Sequence, residues 1–229
     1  MLYLKSNMAL GEYLGAGSSI TKWLYRLNWD ANDASWNANN WTATNVTRVN
    51  GKFGQGASFA GNGNIVVPSN LGIVTNVTMS CFVKMNSEIS SSSQIFLTHT
   101  DATTKVAQRI QYDYNGWTRR IVFVRTRLGV IDQQFTVTKT LWTTNYYNCI
   151  YTYNWSIVTG YIDWISVWSV SASWTWSPVT PNEFNIWSRY DSTTFPVDAI
   201  IDEVIIENRV RSQSEIQKYY TYTKGRFWI

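Results

Sequence analysis

The chain carries a single histidine, His99, so a metal site with two or three histidine ligands, or a relay between two imidazoles, is excluded. A Ser-His-Asp relay would have to run through His99. That residue ends a threonine-rich run and has no nucleophile-elbow sequence around it. No glycine-rich loop leads into a helix, so no phosphate cradle is present. The densest acidic stretch is Asp202-Glu203-Val204-Ile205-Ile206-Glu207. Side chains alternate along a strand, which predicts Asp202, Val204 and Ile206 on one face and Glu203, Ile205 and Glu207 on the other. The plain reading is an aspartate closing the last strand and two glutamates on its outer face. Arg119, Arg120, Arg125 and Arg127 form the densest basic cluster. They read either as a solvated strand face or as a patch for phosphate or an acidic glycan. Basic residues never run to five in a row, so no nucleic-acid arm is expected.

The elements that would position these residues are short β runs split by polar turns. The first is residues 23–27. A long Asn/Ala/Ser/Thr loop over 28–45 follows. Runs then fall at 57–60, 64–67, 77–85, 94–98, 108–114, 121–127, 133–137, 146–153, 158–162, 183–186 and 199–207. Strands this short and evenly spaced predict an all-β sandwich or barrel. One helix is predicted near the end. Ser212 stands three residues before Glu215, the spacing of a capping box, and Ile216, Tyr219 and Tyr220 share one apolar face. One or two turns are expected, packed on the sandwich edge.

Residues 1–20 read as a lead or tether segment and 21–229 as one domain. A chain of 229 residues with 45% hydrophobic, 16% aromatic and 15% charged residues can bury a core without disulfides and is not of disordered type. No stretch approaches the roughly 18 apolar residues of a membrane helix, and residues 1–20 lack a signal-peptide layout. Cys81 and Cys149 lie in strand-like runs. Buried free thiols are expected ahead of a bridge.

The order of motifs resembles the laminin-G-like, concanavalin A-like superfamily over roughly residues 22–222. The stretches that carry the likeness are 51–59 (GKFGQGASF) with 65–68 (IVVP), 77–84 (VTMSCFVK), 146–153, 160–163 (GYID), and 201–206 (IDEVII) with 211–216 (RSQSEI). The resemblance implies a two-sheet antiparallel jelly-roll sandwich with a short C-terminal helix. It also implies ligand sites on a concave face or its rim. It does not settle function, because the fold hosts lectins, adhesion modules, glycosidase accessory domains, glucanases and virion proteins. The glucanase pattern of carboxylates, Glu-x-Asp-x-x-Glu, is missing from 202–207, which points away from catalysis. Related sandwiches also suggest one structural calcium near the chain ends, with Asp30, Asp33 and Asp202 as ligands. Ordinary Asx turns are the alternative use of these residues.

Glycine and tryptophan each occur 13 times, and many tryptophans stand where turn chemistry calls for glycine. Trp29, Trp36, Trp41, Trp155, Trp164 and Trp187 all follow or sit among Asn, Asp and Ser. Glycine takes positive φ without cost, whereas tryptophan there is an outlier. One reading is that these codons are UGA read as glycine, which points to a narrow group of candidate-phylum bacteria or their phages. The other is that the tryptophans are real and form an aromatic rim. Trp23 and Trp142 lie in strand-like contexts and read as genuine.

The expectation is a non-catalytic carbohydrate- or surface-binding adhesion module on a virion or bacterial surface, with many copies raising a weak single-site affinity. Its partner would be a cell-surface glycan or another surface protein, and an oligomer fits the same reading. A structural virion or surface-layer component without a sugar site is the alternative, and a glycoside hydrolase the distant one. If the turn tryptophans are glycines, the sugar-binding candidates are Arg109, Tyr112, Tyr114 and Tyr190.

Overall fold

The computed structural model describes residues 21–25, 41–68, 76–90, 93–101, 106–127, 130–171, 183–187 and 197–224. The lead segment 1–20 lies outside them. The strands are β1 (Thr21–Tyr25), β2 (Thr42–Asn50), β3 (Gln55–Pro68), β4 (Asn76–Met85), β5 (Gln94–Asp101), β6 (Val106–Asn115), β7 (Thr118–Arg127), β8 (Val130–Thr138), β9 (Tyr147–Asn154), β10 (Ile157–Ile162), β11 (Ile165–Ser171), β12 (Glu183–Trp187) and β13 (Asp198–Glu207). One helix, α1 (Gln213–Lys224), follows.

The pairings are antiparallel, and the chain is all-β as expected. The expected division into two separate sheets is not what the hydrogen bonds show. They run without a break along β11-β10-β9-β4-β13-β3-β12-β5-β6-β7-β8, with β1 on β13 and β2 on β3. The reason lies in β3. The runs read separately at 57–60 and 64–67 are one strand, whose first half pairs with β13 and whose second half pairs with β12. Gly61 (φ +82°) sits at the break. Gly63 lets the backbone pass β2, since a Cβ there would meet the Asn45 carbonyl oxygen at 2.7 Å. One barrel-like ladder thus turns back on itself.

The core lies inside that turn. Met79, Cys81, Val83 and Met85 of β4 and Cys149, Tyr151 and Tyr153 of β9 join Ile110 and Tyr112 of β6, Ile121 and Phe123 of β7 and Phe184 and Ile186 of β12 in one buried cluster. Phe123 and Phe135 stack with centroids 4.9 Å apart. Gly160 of β10 closes on that pair so tightly that a Cβ would lie 2.7 Å from both rings. The two thiols are buried and free, and Cys81 faces Cys149 directly across the β4–β9 pair. Burial pushes both thiols well up, so neither is a thiolate nucleophile.

Helix α1 is longer than expected and sits elsewhere. It has 12 residues and covers the second face of the sheet rather than its edge. Ile216 packs with Ile150 and Tyr161, and Tyr219 with Phe82 and Ile205. The capping box is made: the Ser212 N–H donates to Glu215 at 2.8 Å and the Glu215 N–H donates to Ser212 Oγ at 3.3 Å. Two strands were not legible. β2 and β11 are edge strands with few buried positions, so no apolar alternation marks them.

Candidate functional site

Alternation predicted one arrangement of the acidic strand, and the structure shows another. Ala199 and Ile201 point into the core, but so do Val204 and Ile206. The switch from odd to even positions comes from a bulge between Asp202 and Ile205, where Glu203 has φ +47°. One extra residue flips the strand, so Asp202 shares the outer face with Ile205, not with Val204 and Ile206. Its carboxylate accepts from the Phe53 N–H at 2.9 Å and from the Glu203 N–H at 2.8 Å. A Cβ on Gly51 would come within 2.6 Å of it. The motif at 51–56 is therefore a tight turn, closed by the Gly51 N–H to the Gly54 carbonyl at 2.8 Å, that wraps this carboxylate. Burial pushes Asp202 up to about 7, against those amides and nearby Lys52. Burial likewise lowers the Lys52 ammonium to about 8, opposed by Asp163 and Asp202.

Glu207 follows Ile205 on the outer face as expected, but it is buried rather than exposed, and Glu203, at the bulge, is buried too. Glu207 is bound by Arg211, through Nε at 2.5 Å and Nη2 at 2.9 Å, and that guanidinium lies over the Tyr219 ring. A cleft of about 200 Å³ lined by Arg209, Arg211, Glu215 and Lys218 opens beside this network. Arg209 is engaged there with Glu215 and Glu207. This is a set of charges that ties helix to sheet.

A second set of polar side chains lies on the other half of the ladder. Ile110 and Tyr112 of β6 point into the core, so Arg109, Gln111 and Asp113 share the opposite face. Arg109 pairs across to Thr98 and Val124, and Thr98 to Asn185. The row Asn185–Thr98–Arg109–Val124–Gln134 thus crosses five strands. Arg109 Nε donates to Gln111 Oε1 at 3.0 Å. One row over, Arg120 of β7 donates twice to Asp113 Oδ2, at 2.9 and 2.6 Å, and Ser93 donates to Asp113 Oδ1. Asn185, Thr98, Arg109 and Gln111 are buried, Arg120 is half-buried, and Gln134, Thr136 and Thr138 of β8 are exposed. Planar polar groups held in fixed forks can hydrogen-bond vicinal hydroxyls.

The sequence candidates are not all brought to this face. Arg109 is on it. Tyr112 is in the core with its hydroxyl accepting from the Leu141 N–H at 2.9 Å, and Tyr114 packs half-buried against the same core. Tyr190, Asp30 and Asp33 lie outside the described residues, so Asp202 alone of the calcium candidates is seen, with its oxygens on backbone amides. The arginine cluster is divided. Arg119 pairs with Glu88 at 2.7 Å, Arg120 with Asp113, and Arg125 lies over the Tyr153 ring. Gln111, Asp113, Asn185 and Thr98 went unread, although alternation outward from Arg109 identifies Gln111 and Asp113.

The tryptophans also sort. Trp41, read as a turn residue, is buried in the core just before β2. Trp142, read as a strand residue, lies in the β8–β9 connection and is 53% exposed. Trp117 at the β6–β7 tip is 92% exposed.

No protein-family model matches the chain, and no curated protein does. Solved structures do. Domain 4 of AbnA, a GH43 extracellular arabinanase from Geobacillus stearothermophilus solved in complex with arabinotriose, superposes with a TM-score of 0.67 at 16% identity, over 87% of this chain and 97% of that one. The chain shares that fold. The binding domain of Paraclostridial Mosquitocidal Protein 1 gives 0.69 at 16% identity over 88% of this chain. The binding domain of botulinum neurotoxin DC in complex with SialylT gives 0.69 at 11% over 89%. The chain spans about half of each toxin domain, 52% and 51%.

Proposed function

We propose that this chain is a non-catalytic carbohydrate-binding module, a concanavalin A-like jelly roll whose polar β12–β5–β6–β7–β8 face takes the glycan. The observation that carries the reading is the whole-domain likeness to an arabinanase domain solved with a bound oligosaccharide. Arg109, Gln111, Asp113 and Arg120 supply the hydrogen-bonding forks, and Arg120 with the exposed β8 residues forms the open end. Display on a virion or bacterial surface, as a multivalent adhesion module facing a cell-surface glycan, belongs to the same proposal, as does a source that reads UGA as glycine. The burial of Arg109 and Gln111 favours one second reading, a structural surface or virion component with no sugar site.

The test is a glycan panel that includes linear arabino-oligosaccharides and sialylated glycans, run with and without a chelator. Saturable binding supports the module. Binding to none supports the structural component. Loss of binding in chelator, restored by calcium, supports a calcium site that includes Asp202, and binding unmoved by chelator removes it. The non-catalytic reading fails if the protein releases sugar and Glu203→Gln abolishes that release.

A further inference from the structure

We infer that the native residues at positions 117, 155 and 164 are glycine and that Trp41 is a true tryptophan. This rests on the UGA reading proposed above and not on glycan binding. Trp117, Trp155 and Trp164 have φ of +72°, +70° and +71°. That is the left-handed region, which glycine occupies freely and bulky side chains avoid. All three lie at hairpin tips. Ile162 pairs with Ile165, so Asp163-Trp164 is a two-residue turn with both φ positive, at +51° and +71°. Asn115 pairs with Thr118, so Gly116-Trp117 is another, at +56° and +72°. Both have the φ signs of a type I′ turn, for which Asn-Gly, Asp-Gly and Gly-Gly are the favoured sequences. At the third tip the Asn154 side chain accepts from the Ser156 and Ile157 N–H groups, and Trp155 is carried left-handed between them.

Nothing at Trp117 offsets that conformation, because the side chain is 92% exposed. The tryptophans at 23, 142, 168 and 187 do not have positive φ. Trp41 fills the core, and glycine there would leave a cavity. The backbone thus separates two kinds of position that the sequence writes with one letter, and UGA decoded as glycine accounts for the first kind. Trp117 escapes a reading by turn dipeptide because Asn115-Gly116 before it already looks like a complete turn. The consequence for binding is that these three hairpin tips carry no aromatic platform.

Peptide mass spectrometry on protein purified from its native source decides this. Glycine at 117, 155 and 164 with tryptophan at 41 is expected. Tryptophan at the three tips overturns the inference, and glycine at 41 overturns the separation by backbone conformation. An independent check uses protein made in a host that reads the chain as written. Trp164 also packs against Ile150, Tyr161 and Ile216, so the check rests on the 92% exposed Trp117, and Trp117→Gly should raise Tm by roughly 2–4 °C. A lowered Tm overturns it.

Discussion

Two charged regions of this molecule look alike in sequence and behave differently in the fold. Under α1, Asp202, Glu207 and Arg211 are each buried to 3% exposure or less. Their polar atoms are taken by backbone amides of the 51–54 turn and by one another. On the opposite half, Arg109, Gln111, Asp113 and Arg120 are held side chain to side chain in two forks, and the face they lie on opens toward β8. The first region has its charges neutralised from within, which fastens an element. The second is pre-oriented by partners on its own face and grades into solvent, which suits a ligand. The position of the partners, rather than the presence of charge, distinguishes the fastening region from the proposed glycan face.

Breaking the first region should cost stability before anything else. Arg211→Ala leaves Glu207 buried with only the 3.6 Å contact to Arg209, and the loss should approach the about 3–5 kcal/mol of a broken buried pair. Chemical denaturation should show it as a lowered midpoint with α1 lost first. Asp202 gives this region a pH dependence. Its folded pKa is raised to about 7 from 3.8, so between those values the folded state holds the proton more tightly than the unfolded chain. Stability from this group is fully present below about pH 4 and is lost as pH rises through about 7. Asp202→Asn should flatten that slope, and thermal melts from pH 4 to 8 measure it. For the second region, Arg109→Ala should weaken glycan binding by roughly tenfold or more, the worth of a charged hydrogen bond, and should cost less stability than Arg211→Ala. A stability loss as large as that of Arg211→Ala would make Arg109 structural and erase the contrast. The smallest effect is expected at the cap: Ser212→Ala removes one side of the capping box and should cost about 1 kcal/mol.

The all-β class, the terminal helix with its Ser212–Glu215 box, and most strands with an apolar inward face were legible, because periodicity and capping are local. β2 and β11 were not, since edge strands bury too little to alternate. The face of Asp202 was misread because one residue at Glu203 inverts the register, and nothing in Asp-Glu-Val-Ile-Ile-Glu announces a bulge. On the proposed glycan face, Arg109 was singled out from the sequence, and alternation from it reaches Gln111 and Asp113. Thr98 and Asn185 reach it only through pairings of β5 and β12, which are long-range facts. Tyr112 and Tyr114 were grouped with Arg109 by type, whereas alternation along β6 puts Arg109 on the opposite face from both.

The most direct test of the central claim is calorimetric titration of the glycan selected by the panel into the folded chain and into Arg120→Ala. Arg120 sits at the open end of the polar face, half-buried and paired with Asp113. Saturable binding to the unmodified chain and a loss of about tenfold in the variant are expected. Saturable binding that Arg120→Ala and Arg109→Ala both leave unchanged would place the glycan elsewhere and contradict it.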